Sequence, residues 1–196
     1  MAESPSPLTP KQTEIADAAL RIIGGQGIAA LTTATLAAEL GVSPGAPFRH
    51  FAGRDEILEG VASRVEEMIL STIPEPTDSP LADIATLFRA RTGAVGRHVG
   101  IARLMFSDQF TLALPKPAAR RLKNLVARTR SFLLESLSAA ARAGEIRTDV
   151  TPEALLPVVL GTLQSMVFAR ALGASREGDA ARACDTLFTL LAPLRH

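Results

Sequence analysis

The chain holds one cysteine, Cys184, in 196 residues, and it has neither tryptophan nor tyrosine. A single thiol rules out an intramolecular disulfide framework and the small stapled scaffolds that depend on one. The three histidines, His50, His98 and His196, are not spaced with cysteines or carboxylates as a ligand set, so no metal site and no cofactor are expected. No apolar run reaches about 18 residues without a charge, which argues against a membrane span. The first ten residues lack the basic start and apolar stretch of a secretory signal. Alternating apolar and polar runs, the mark of half-buried strands, are missing as well. These absences lead to the expectation of a cytoplasmic, all-α protein.

Charge of one sign is also in short supply. The formal net charge is +1, so bulk charge carries no signal for nucleic acid. Its distribution is adverse: residues 1–60 carry Lys11, Arg21, Arg49 and Arg54 against seven carboxylates. A DNA-reading segment placed there must rely on a few local cations and on backbone N–H groups.

Helix signals are abundant. Thr9, Pro10 and Gln12 read as an N-cap, a proline at N1 and a capping-box partner. Ile15, Ala18, Ala19 and Ile22 then share one face, and Gly24, Gly25 and Gly27 are expected to stop this helix. Thr32 opens a short second helix that ends at Gly41. Ser43 is expected to cap a third, with Pro44 at N1, reaching Phe51. A fourth is expected from about Arg54 to Ile73. The stretch Pro74-Glu75-Pro76-Thr77-Asp78-Ser79-Pro80 reads as a linker. Beyond it, helices are expected over about 80–91, 117–143, 152–172 and 179–191, with a broken apolar stretch over 99–114. The predicted architecture is a three-helix head over 9–53 and a helical bundle of five to six helices over 54–196. Helix four, 54–73, connects them.

Two short helices meeting at Gly41-Val42-Ser43 form helix-turn-helix grammar. Gly41 supplies the positive φ of a sharp turn. Val42 is expected to fill the space between the helices, and the small residues after Ser43 allow close approach to a duplex. The same residues also fit G-x-S-x-G, the nucleophile elbow of hydrolases. That elbow needs a preceding strand, and a helix precedes it here, so the chain is not expected to be an enzyme.

The segment closely resembles the TetR family of bacterial repressors. The resemblance is carried by Gly27, Leu31-Thr32, Leu36-Ala37, Leu40-Gly41-Val42-Ser43, Gly45, Phe48-Arg49-His50-Phe51 and Arg54-Asp55-Glu56-Ile57-Leu58. It implies that Thr32 and Thr33 bond phosphate. Ser43, Gly45 and Ala46 would lie against the groove, with Phe48 beside them. Arg49 and His50 would contact phosphate or base edges, and Leu36, Leu40, Val42 and Phe51 would be core. Phe48 replaces the family's usual tyrosine, which removes a hydroxyl worth about 1 kcal/mol. Pro47 is expected to tighten the first turn of the recognition helix and to bias Ala46 away from the α region.

The resemblance further implies an effector site in the C-terminal part. Phe88, Arg103, Met105, Phe106, Phe110, Phe132, Gln164 and Phe168 are the candidates, suited to a small hydrophobic or aromatic effector. Binding would shift a helix between about Pro80 and Phe106 and then helix four. The segments 152–172 and 179–191 are apolar on more than one side, as expected of helices that pair two chains. A two-fold dimer calls for palindromic double-stranded operator DNA. Lys116, Arg120, Arg121, Lys123, Arg128 and Arg130 are expected to form a solvated face, and Cys184 to lie in the core or an interface. The leading expectation is a ligand-responsive repressor. The alternatives are a DNA binder controlled by a protein partner and an all-α enzyme or scaffold.

Overall fold

The computed structural model describes residues 7–96, 98, 100, 101, 112–176 and 178–193. Among these there are seven α-helices and no strand: α1 (Pro10–Gln26), α2 (Thr33–Leu40), α3 (Arg54–Leu70), α4 (Pro80–Ala94), α5 (Lys116–Arg142), α6 (Pro152–Ala171) and α7 (Asp179–Leu191). The protein is all-α, as expected. It forms two compact units, Met1–Met68 with His98–Asn124 and Ile69–Arg97 with Leu125–His196.

The first unit is built on α1. The Thr9 side chain accepts the Gln12 N–H at 3.3 Å, and the Thr9 N–H donates to Gln12 Oε1 at 3.0 Å, so the capping box forms as expected. One face, including Ile15, Leu20, Ile22 and Ile23, is buried. Of the three glycines expected to stop the helix, only Gly27 does so. The helix runs on through Gly24 and Gly25 to Gln26, and Gly27 turns the chain with φ +86°. A helical glycine costs only about 1 kcal/mol relative to alanine, which tertiary packing offsets. The packing here is a close approach by Gly100. A Cβ on Gly100 would overlap the Leu20 carbonyl oxygen and sit 3.5 Å from Gly24 Cα. Phe51 is seated similarly, since a Cβ on Gly60 of α3 would lie 2.9 Å from its buried ring.

Ion pairs tie α3 to its neighbours in this unit. Arg64 Nε donates to Asp17 at 2.9 Å. Arg121 of α5 donates to Glu59 at 2.8 Å and to Ser63 Oγ at 3.2 Å, with Glu66 3.3 Å away. The basic run is therefore not uniformly solvated. Lys116, Arg120, Lys123, Arg128 and Arg130 are exposed, but Arg121 is drawn inward because three acceptors on α3 face it.

The core of the second unit is formed by Ile84, Leu87 and Phe88 of α4, Leu133 and Leu137 of α5, and Val159 and Leu163 of α6. Asp83 closes the start of α4 by accepting the Thr77 N–H at 2.8 Å and the Thr77 hydroxyl at 2.7 Å. Thr151 caps α6, accepting the Ala154 N–H at 3.4 Å. The Arg147 N–H donates to the Leu191 carbonyl at 2.7 Å, which secures the end of α7. Cys184 is buried in α7, and burial pushes its thiol up to about 11, so thiolate chemistry is suppressed.

Arg91 is a buried cation in this unit. It donates from Nε to Thr72 Oγ1 at 2.5 Å and from Nη2 to the Ile69 carbonyl at 3.3 Å. Among the described residues no carboxylate pairs with it. Burial pushes the guanidinium down to about 10, below its unfolded value, so its charged form opposes folding at neutral pH. Replacing a buried charge by an apolar group of similar length removes that cost. Arg91→Met is expected to leave the chain about 1 kcal/mol more stable in urea unfolding. A loss of stability would show that the hydrogen bonds outweigh the desolvation.

Helix α6 alone among the described residues is long and apolar enough to cross a membrane by length and composition, with 39% of its most apolar window buried. Its buried side carries Leu155, Leu156, Val159, Leu163 and Val167. A second stripe, Ala154, Val158, Gly161, Ser165, Phe168 and Leu172, is exposed at three- and four-residue spacing.

Candidate nucleic-acid interface

The N-terminal end of α2 is held by two threonines. Thr32 Oγ1 accepts the Thr35 N–H at 3.2 Å, and the Thr32 N–H donates to Thr35 Oγ1 at 2.9 Å. The Thr35 hydroxyl also reaches the Ala30 carbonyl at 2.5 Å, in a 3-10 turn over Ile28–Ala30. Thr32 and Thr33 stand exposed at this end. The first N–H groups of any α-helix lack intrahelical partners and carry partial positive charge, so an anion is favoured there.

The C-terminal end of α2 turns at Gly41, which is left-handed with φ 66° and ψ 33°. The Val42 N–H then donates to the Ala37 carbonyl at 3.0 Å. This corrects the expected role of Val42. Its backbone closes the turn while its side chain is 36% exposed, outside the core. Leu40 is only half-buried, whereas Leu36 and Phe51 are buried as expected. A helix and a left-handed turn precede Ser43, so the strand of a hydrolase elbow is not there.

The expected third α-helix is replaced by a 3-10 helix over Pro47–Arg49. The cause lies in the backbone hydrogen bonds. Pro47 has no N–H to give to the Ser43 carbonyl, which instead accepts from the Ala46 N–H at 3.0 Å. Arg49 and His50 continue the tighter spacing, donating to the Ala46 and Pro47 carbonyls at 3.2 and 3.1 Å. Ser43 thus serves through its carbonyl and not as a side-chain cap. The pre-proline bias predicted for Ala46 is overturned, since it takes φ −65° and ψ −42° with both its backbone groups bonded. A three-residue helix has little macrodipole, so the helix-end attraction for phosphate belongs to α2.

Of the predicted contact residues, Thr32, Thr33, Ser43, Gly45, Phe48, Arg49 and His50 are exposed, and Ala46 is half-buried. Thr32, Thr33 and Phe48 lie together around a shallow cavity of about 320 Å³, with Arg54 at its edge. Arg54 was not among the predicted contact residues. It donates from Nη2 to the Ile28 carbonyl at 3.3 Å, which brings a cation to this face. Gln12 was also missed as a positioning residue. Its Nε2 donates to the His50 carbonyl at 3.1 Å, so the capping box of α1 is tied to the recognition turn.

Part of the segment's adverse charge is met by Arg64 and Arg121, cations from beyond residue 60. Glu14, Asp17, Glu39 and Glu59 each pair with a cation, and Glu56 accepts the Ala52 N–H at 2.6 Å. The Arg49 guanidinium has no carboxylate partner among the described residues and faces solvent.

Residues 15–61 match the family described as "Bacterial regulatory proteins, tetR family". The likeness to that family lies in this segment, about a quarter of the chain. The matched segment coincides with the surface just described. The nucleoid occlusion factor SlmA of Aliivibrio fischeri is 34% identical over 83 residues, which cover 41% of this chain. The match spans 42% of SlmA, under half the length of that curated relative. The HTH-type transcriptional regulator BetI of Brucella canis is 29% identical over 147 residues, covering 69% of this chain and 72% of BetI. The crystal structure of AibR in complex with isovaleryl coenzyme A and operator DNA shares the fold, with a TM-score of 0.70 and 17% identity. That likeness covers 92% of this chain and 97% of AibR.

Four of the predicted effector residues are among those the structure describes. Phe88 and Phe132 are buried, while Gln164 and Phe168 are exposed on α6. Arg103, Met105, Phe106 and Phe110 lie outside the described residues. Among the described residues no group of three or more His, Cys, Asp or Glu could hold a metal ion.

Proposed function

We propose that the chain is a DNA-binding transcriptional regulator, a repressor released from its operator by a small effector. The observation that carries this reading is Arg49, exposed and without a carboxylate partner among the described residues, on the matched turn directly after Phe48, which lines one cavity with Thr32 and Thr33 of the capped α2 end. Residues 9–53 serve as the reading head and 54–196 as the effector and dimerisation part. Thr32, Thr33 and the α2 N-terminus bond phosphate, with Arg54 as a further candidate. Arg49 and His50 contact phosphate or base edges.

The partner chain is a second copy. The exposed α6 stripe, from Ala154 to Leu172, has the spacing of a helix-packing seam, and Gly161 leaves open space for close approach. Leu190 of α7 is 66% exposed near the end of that helix. This reading also accounts for α6 being so apolar without a membrane role, and a DNA-binding role places the protein in the cytoplasm. The AibR complex, with ligand and operator DNA, supports effector control. An effector acts only by binding the two conformations with different affinity.

Selection of bound sequences from random duplex DNA tests the reading. The enriched sites are expected to be inverted repeats with half-sites about one helical turn apart. Recovery of no common sequence would overturn it.

A further inference from the structure

The second unit contains a half-open cavity of about 580 Å³ between the C-terminal parts of α4 and α6 and the start of α7. None of the residues predicted for the effector pocket is among its described lining residues, which include three arginines. Arg89 and Thr92 come from α4, Arg170 from α6, and Ser175, Arg176 and Gly178 from the loop before α7. No acid is among its described lining residues.

Among the described residues none of the three guanidiniums has a carboxylate partner. Arg89 Nη2 donates to Thr86 Oγ1 at 3.3 Å, and Arg170 Nη1 donates to the Ser175 carbonyl at 3.3 Å. The Arg176 side chain makes no ion pair among the described residues. The nearby Asp179 is already engaged, accepting the Arg176 N–H at 2.5 Å and pairing with Arg182. Glu177 lies outside the described residues. Three like charges around one cavity repel each other unless an anion joins them.

The backbone supports the same polarity. Gly178, with φ 88°, opens α7 without a side-chain cap, so the positive end of a 13-residue helix borders the cavity. Arg170 is held in place by Gly96, where a Cβ would lie 2.6 Å from Arg170 Cγ. Arginine forks match phosphate oxygens in a bidentate manner. A cavity of this volume falls in the ordinary range for small-molecule sites and has room for more than a bare anion.

We propose that this cavity binds a small organic anion through a phosphoryl group held by Arg89, Arg170 and Arg176. Binding as such goes beyond the DNA-binding reading, whereas the ligand's role as effector rests on it.

Calorimetric titration of the full chain with inorganic pyrophosphate, at fixed ionic strength, tests the site. Saturable binding of one pyrophosphate per chain is expected. Arg176→Gln, on an exposed loop where folding is not at stake, is expected to weaken it by about tenfold, and Arg89→Gln likewise. Arg128→Gln, on the exposed face of α5, is expected to leave it unchanged. Tricarballylate, a carboxylate anion without phosphorus, is expected to bind about tenfold more weakly than pyrophosphate. The proposal is overturned by absent or non-saturable binding, by equal binding in Arg176→Gln, or by equal affinity for tricarballylate. Loss of binding in Arg49→Ala with retention in Arg176→Gln would also overturn it, by placing the anion on the head. DNA binding measured without pyrophosphate reports on the regulator reading separately.

Discussion

Gly100→Ala is expected to destabilise the chain by about 3 kcal/mol, at the upper end of ordinary overpacking costs. The new methyl group would meet the backbone of α1, not the movable tip of a side chain. Its closest neighbours are the Leu20 carbonyl group and Gly24 Cα. Neither can move without disturbing a helix whose inner face is fully packed. Gly25→Ala is the matched comparison. Gly25 is helical and exposed, and a Cβ there meets nothing within 4 Å. It is expected to be neutral or to stabilise by up to about 1 kcal/mol through helix propensity. Urea unfolding followed by circular dichroism separates the two. Equal midpoints for both variants would show that the approach of Gly100 to α1 does not constrain the first unit.

The second large effect concerns affinity. Arg49→Ala is expected to weaken operator binding by about 10- to 100-fold, from the loss of one charge-assisted contact. The slope of log affinity against log salt is expected to fall by about one if that contact is to phosphate. If it is to a base edge, discrimination at one operator position relaxes instead. Stability is expected to stay within about 0.5 kcal/mol of wild type, since the side chain is exposed and unpaired. Wild-type affinity in a folded Arg49→Ala protein would remove Arg49 from the interface.

Legibility from sequence followed the range of the interactions involved. The Thr9–Gln12 capping box and the left-handed turn at Gly41 depend on residues within four positions, and both formed where expected. The recognition turn was harder. Pro47 signalled a distortion, but its extent depended on which donor would take the Ser43 carbonyl once the Pro47 N–H was missing. That the helix passes Gly24 before stopping at Gly27 could not be read locally, since Gly100, which packs against it, lies 76 positions along the chain.

The electrostatics were misleading for the same reason. Counting carboxylates over residues 1–60 gave an acidic head, yet Glu59 is matched by Arg121 and Asp17 by Arg64, both beyond that segment. What matters for DNA is the charge left unpaired on the head, where Arg49 has no carboxylate partner among the described residues. The arginine-lined cavity was not legible either. Arg89, Arg170 and Arg176 are isolated in sequence and meet only through the packing of α4, α6 and the loop before α7.

The most direct test of a dimeric DNA-reading head is a binding titration on a selected inverted repeat and on a scrambled duplex over a range of salt concentrations. The account predicts two chains per repeat and a linear fall of log affinity with log salt. It also predicts an affinity for the repeat at least about 10³-fold above that for the scrambled duplex. Equal affinity for the two duplexes, or binding insensitive to salt, would contradict it.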